Sequence, residues 1–185
     1  MFPQQLFPQH PGEWTLDEVL ALPEDQGYRL ELVDGLIIIS PCPTSGHQRA
    51  LQRLQVAFGR ASPAEFEPLP GINVVLNRQR LLIPDLVVTT VPGLDAVYCE
   101  GNDVLLAAEI ISTWSRTYDL ALKHQLYAEA GVPFFLIIDS TADPVSAICY
   151  ELRSGEYQES ARSDDGFLTM TRPFPVTVDL GRSGR

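Results

Sequence analysis

Lysine occurs once in this 185-residue chain, at Lys123, against twelve arginines. The three cysteines, Cys42, Cys99 and Cys149, are odd in number and never stand in C-x-x-C spacing. That argues against a disulfide framework or a thiolate zinc site and for the reduced thiols of a cytoplasmic protein. No apolar run approaches the roughly 18–20 residues that span a bilayer, so no membrane partner is expected. The opening MFPQQLFPQHPGEW has no basic start and no long apolar segment, and no secretory signal is expected. Positive charge is scarce as well. A net charge of −11 counts against a surface coated for nucleic acid. The imbalance is uneven, however: residues 1–28 carry five acids and no Lys or Arg, residues 29–80 carry six Arg and four acids, and the remaining −8 lies beyond. Some of those later acids are ones a bound cation would neutralise, so the global acidity does not exclude nucleic acid.

What is present suffices for one substantial core. A 45% hydrophobic content over this length predicts a single domain over residues 14–185, preceded by an irregular Pro/Gln-rich arm at 1–13. Strand and helix patterns alternate, which predicts a mixed α/β (α+β) fold. Thr15 followed by Glu18 reads as a capping box opening a short helix. YRLELVDGLIIIS reads as a hairpin turning at Asp34–Gly35, with Leu30 and Leu32 on one face and Arg29, Glu31 and Val33 on the other. Thr44 or Ser45 caps the next helix, where His47, Leu51, Leu54 and Phe58 share a face; Arg49, Arg53 and Arg60 fall within about 40° of one another opposite it. Residues 62–71 read as a loop, INVVLN as a strand and LLIPDLVVTT as one further strand. Val91–Asp103 is a loop, and Val104–Ile111, the most apolar run, is a central strand. A helix spans Thr117–Ala130, with Gly131 past its end and PFFLIID as a buried strand after it. AICYEL, EYQES and PVTVDL complete the chain as an antiparallel meander.

The chemistry concentrates between Pro84 and Asp139. Asp85 opens one apolar run and Glu109 lies inside the next, where an unpaired charge would be costly. Lys123 follows on the helix after Glu109, sharing a face with Asp119 and Tyr127 at i, i+4 spacing. Acids at strand ends are what a hard divalent cation requires, and a nearby ammonium can orient an attacking water. The same residues also admit plainer readings. Glu31 is then an exposed strand carboxylate, His47 a hydrogen-bonded core histidine, Lys123 a surface partner of Asp119, and the Arg49 and Arg53 face solvated; Tyr127 reads as packing.

Taken in order, YRLELVDG, SPCPTSGH, PDLVV, EIIS and YDLALKHQLYAEAGVPFFLIID resemble the Uma-two restriction-endonuclease family, a branch of the PD-(D/E)XK nuclease superfamily. The resemblance runs from about Trp14 to Asp139. It implies a restriction-endonuclease-like core, a mixed central β-sheet flanked by helices, with Mg²⁺, or Mn²⁺ as a substitute, as cofactor. Asp85 matches the acid of the PD motif and Glu109 that of (D/E)XK. Two residues on, where the pattern has lysine, stands Ile111, and the family's lysine falls on the following helix at Lys123. The resemblance gives Glu31 as a third metal ligand or an assisting base, and His47 as a hydrogen-bond partner of a ligand carboxylate. Asp119 would orient Lys123. Apart from the resemblance, the sharper reading of the arginine face opposite His47 has Arg49 and Arg53 contacting phosphates.

Two functions follow as expectations. One is a Mg²⁺-dependent endonuclease hydrolysing DNA through Asp85, Glu109, Glu31 and Lys123, acting as a homodimer because one centre cuts one strand. The other is a catalytically inactive nuclease fold serving as an oligomeric interaction module.

Overall fold

The computed structural model describes residues 10, 12–22, 29–40, 43–111 and 118–181, side chains at 118–120 excepted. The chain begins with α1 (Leu16–Leu20), closed by the reciprocal Thr15–Glu18 capping box that the sequence predicts. β1 (Arg29–Val33) and β2 (Leu36–Ser40) form the hairpin, and Asp34 and Gly35 take φ of 48° and 81° at its turn. A Cβ on Gly35 would also meet Glu13 Cβ at 2.6 Å, so glycine is required there twice over. α2 (Ser45–Ala61) starts where Thr44 Oγ1 accepts from the His47 N–H, and it buries His47, Ala50, Leu54 and Phe58.

Six strands follow: β3 (Glu67–Pro70), β4 (Asn73–Asn77), β5 (Arg80–Leu82), β6 (Leu86–Thr89), β7 (Tyr98–Glu100) and β8 (Val104–Ile111). A π-helical turn, Tyr118–Lys123, runs into α3 (His124–Glu129), and Gly131 takes φ of 77° just beyond. The chain ends with β9 (Phe134–Asp139), β10 (Ser146–Arg153), β11 (Glu156–Arg162), β12 (Phe167–Met170) and β13 (Val176–Asp179). The strands form a six-stranded sheet ordered β11-β10-β9-β8-β6-β3, a five-stranded sheet ordered β2-β1-β5-β4-β7, and the β12–β13 hairpin. Most pairs are antiparallel, while β8 with β9 and β4 with β7 are parallel, so the sheets are mixed as expected.

Several elements depart from the sequence reading. Part of the expected 62–71 loop is β3, which tolerates two prolines because it lies at the edge of the larger sheet. Part of the 91–103 loop is β7, paired with β4. The expected terminal meander is divided, with β10 and β11 extending the large sheet and β12 and β13 pairing apart from it. LLIPDLVVTT, read as one strand, is two. It leaves the smaller sheet after Leu82 and joins the larger at Leu86. Proline has no N–H to continue the first ladder, and Ile83 N–H turns to the Glu31 carboxylate at 2.8 Å.

The large sheet buries both faces. Leu86, Val88, Leu106, Ala108 and Ile110 pack with Leu54 and Phe58 of α2 and with the β12–β13 hairpin. On the other side Val87, Ala107, Ile111, Phe135 and Ile137 pack with Val33 of β1, Val74 of β4 and Leu126 and Tyr127 of α3. Alternation then places the acids. Glu31, Asp85 and Glu109 each stand two residues from a member of this second cluster (Val33, Val87, and Ala107 with Ile111), so all three strands turn a carboxylate toward the space between the sheets. Among the described residues no helix is long and apolar enough to cross a membrane.

Candidate active site

The ladder between β6 and β8 brings the first two acids together. Its last pair is Leu86 with Ala108, and one further step places Asp85 across from Glu109. Asp85 Oδ2 accepts from the Ile110 N–H at 2.7 Å, a backbone donor past the end of the ladder. His47, at the start of α2, brings Nε2 to 3.0 Å from the same oxygen. Arg29 Nη1, from the first residue of β1, donates to Oδ1. Asp85 is 1% exposed, so these donors replace water nearly completely. Burial works to raise the Asp85 pKa, but His47 and Arg29 outweigh it and hold the carboxyl below its ordinary range. The Arg29 guanidinium, although burial works against its charge, is held above its ordinary value by Asp85, Glu109 and Glu31 together.

Lys123 joins the remaining acids. Its Nζ lies 2.9 Å from Glu31 Oε1 and 2.9 Å from Glu109 Oε1, with Lys123 4% and both glutamates 2% exposed. Tyr127, fully buried one turn on, donates to Glu109 Oε1 at 2.8 Å. Two contacts fix the helix that carries them. His124 packs edge-on against Phe135, Tyr150 and Tyr157, its centroid 5.0–5.9 Å from theirs. Arg80 reaches Asp34 at 2.7 Å and Glu129 at 2.5 Å, linking the hairpin turn to α3. Lys123 itself ends the π-helical turn, a local rewinding common where a side chain must be aimed.

The structure therefore brings Asp85, Glu109, Lys123, Glu31 and His47 into one buried cluster, with Glu31 inside it and not exposed on its strand. Ile111, where the resemblance would have put a lysine, is buried in β8 as part of the second core cluster. Arg53 turns to the C-terminal hairpin, 3.1 Å from both the carbonyl and the carboxylate of Asp179, and Arg49 is exposed on α2. The Asp119 side chain and the expected start of the helix at Thr117 lie outside the described residues.

Two residues went unassigned or misassigned from sequence. Arg29 received no role, although its place two residues before Glu31 on one strand face was a usable signal. Tyr127, read as packing, spends its hydroxyl on Glu109.

The donor chemistry suits a hard divalent cation. Three carboxylates converge, and Glu31 Oε2 is buried with no hydrogen-bond partner among the described residues. As arranged, the carboxylates are turned to Arg29 and Lys123. No group of three His, Cys, Asp and Glu side chains among the described residues is already disposed around a metal position.

The chain belongs to the Uma2 family, described as "Putative restriction endonuclease", whose profile matches residues 16–181. The match takes in the C-terminal strands beyond Asp139. A solved structure of similar fold is that of "a putative nuclease belonging to DUF820" from Anabaena variabilis. It is 18% identical, with a TM-score of 0.70 over 86% of this chain and 89% of that one. No curated protein matches the chain.

Proposed function

We propose that this protein is a metal-dependent nuclease that hydrolyses phosphodiester bonds in DNA, with the cluster of Glu31, Asp85, Glu109 and Lys123 as its reaction centre. The observation that carries the reading is one buried lysine, the only lysine of the chain, held between the buried carboxylates of Glu31 and Glu109, with the buried Asp85 carboxylate in the same cluster beside Arg29 and His47. Membership of a family described as restriction endonucleases supports a nucleic-acid substrate.

Asp85, Glu109 and Glu31 would hold Mg²⁺, or Mn²⁺ in its place. When bound, the ion supplies Lewis-acid polarisation of the phosphate and lowers the pKa of a coordinated water. Lys123 contributes a compact ammonium with three donors, suited to orienting the attacking water and offsetting charge that develops on the phosphate. Tyr127 fixes the rotamer of Glu109, and His47 with the Ile110 N–H fixes Asp85. The buried setting keeps these donors and charges in a low-dielectric environment, where they count for more than in water. A homodimer belongs to the same proposal, since two such centres are needed to cut both strands in one encounter.

One observation favours the non-catalytic reading: Arg29 and Lys123 already compensate the acids without a metal. Cleavage of plasmid and single-stranded DNA with Mg²⁺ or Mn²⁺ separates the two. The nuclease reading expects metal-dependent nicking that Asp85→Asn and Lys123→Ala abolish while circular dichroism shows the fold intact. Equal cleavage by both variants, or none by the native protein, overturns it.

A further inference from the structure

We propose, resting on the metal-site reading above, that Arg29 is an exchangeable counter-ion: its guanidinium holds the position at Asp85 that a divalent cation must take, so metal loading and Arg29 release are a single event. Three observations lead there. The first is placement. Arg29 donates to Asp85 Oδ1, while Oδ2 is occupied by His47 and the Ile110 N–H, so Oδ1 is the carboxylate face left for a metal.

The second is accessibility. The Arg29 side chain is 29% exposed while that of Asp85 is 2% and that of Lys123 is 5%. Of the two strong cations that the described residues bring to the cluster, Arg29 is the one that reaches in from the solvent side, and a long flexible arm can withdraw to water with little desolvation cost. Lys123 has no such exit.

The third is charge. Among the described residues, and with histidine counted as neutral, three carboxylates against Arg29 and Lys123 leave the cluster one negative charge in excess. A divalent ion added with Arg29 in place reverses that to one positive charge and sets a guanidinium beside the metal. The same ion with Arg29 released leaves the three acids balanced by Lys123 and the metal, the neutral arrangement that burial favours. The buried Oε2 of Glu31, which has no hydrogen-bond partner among the described residues, gains one in the process. Without metal, Arg29 prevents the acids from repelling one another and protects the fold. With metal it is freed at the mouth of the site.

A permanent structural ion pair predicts the opposite energetics, and Mn²⁺ calorimetry distinguishes the two. The titration compares native protein, Arg29→Gln, Arg29→Lys and, as a control remote from the acids, Arg53→Gln. The exchange account expects Arg29→Gln to bind Mn²⁺ at least tenfold more tightly than native protein. It also expects a lower metal-free melting temperature for that variant, with a larger rise on adding Mn²⁺. Arg29→Lys keeps a cation but loses the planar fork. It is expected to fold and to bind Mn²⁺ more tightly by a smaller factor, which keeps the test open should the glutamine variant not fold. The control is expected to match native protein. Native binding with equal or weaker affinity in both Arg29 variants overturns the exchange and leaves the metal site standing. Absence of Mn²⁺ binding in native protein and folded Arg29 variants alike overturns the metal site and the exchange with it.

Discussion

Lys123 and Tyr127, one helical turn apart, converge on the same atom, Oε1 of Glu109, at 2.9 and 2.8 Å. The i, i+4 spacing makes the pair a two-point clamp on a carboxylate that β8 carries in from the opposite layer. The clamp ties the orientation of the acid to the seating of α3, which His124 and Arg80 hold against both sheets.

Removing one jaw of that clamp has a measurable cost. Tyr127→Phe keeps the ring in place among Phe135 and Leu126 but deletes a hydrogen bond to a buried carboxylate, for which a loss of about 1.5–3 kcal/mol is expected. Urea unfolding at neutral pH measures it. A change below about 0.5 kcal/mol would show that the hydroxyl does not hold Glu109.

The other jaw is charged. Lys123→Met leaves Glu31 and Glu109 facing each other without their shared cation, at an expected cost of about 3–5 kcal/mol. Adding Glu31→Gln to that variant removes one of the stranded charges and recovers part of the loss. No recovery in the double variant contradicts a bridging role for Lys123. Lys123→Arg is expected to keep much of the stability and to lose cleavage, because a planar fork does not replace a compact ammonium.

Acid titration reports on Asp85. Its folded pKa lies below the ordinary value of 3.8, so the unfolded chain takes up the proton first as pH falls. The stabilisation is therefore complete above about pH 4 and is lost progressively as pH drops through the folded value. Stability measured between about pH 5 and pH 2 should fall less steeply in Asp85→Asn than in native protein. Equal slopes would mean that Asp85 is not held ionised by Arg29 and His47.

The arginines of α2 separate by their surroundings. Arg53 pairs with Asp179 while 35% exposed, so Arg53→Ala is expected to cost less than about 1 kcal/mol and to leave DNA affinity unchanged. Arg49, exposed on α2, is the residue proposed to contact a phosphate of the substrate. Arg49→Ala should weaken DNA binding for all sequences alike and reduce the salt-dependence slope by about 1. Affinity measured across a salt series checks both.

Local signals in the sequence were read correctly where a few adjacent residues decide the geometry. Thr15 with Glu18 set a helix start, Asp34–Gly35 a hairpin turn, and the apolar run Val104–Ile111 a strand buried on both faces. Asp85 and Glu109 were singled out by their places at the start of one apolar run and inside the next, and the family resemblance added Glu31. What escaped depends on distant partners. Nothing local to LLIPDLVVTT shows that it divides between two sheets, because the Ile83 N–H is taken by Glu31, 52 residues earlier. β3 and β7 are strands only because β6 and β4 offer open edges. Arg29 drew no attention because its partner, Asp85, is 56 positions away, and Tyr127 looked like packing because one hydroxyl leaves no trace in an apolar pattern.

The most direct test of the central claim is anomalous scattering from crystals grown or soaked with Mn²⁺. The account predicts a peak bounded by the carboxylates of Asp85, Glu109 and Glu31, and its absence from crystals of Glu109→Gln. A peak elsewhere with none at this cluster, or a peak there that persists in Glu109→Gln, would contradict it.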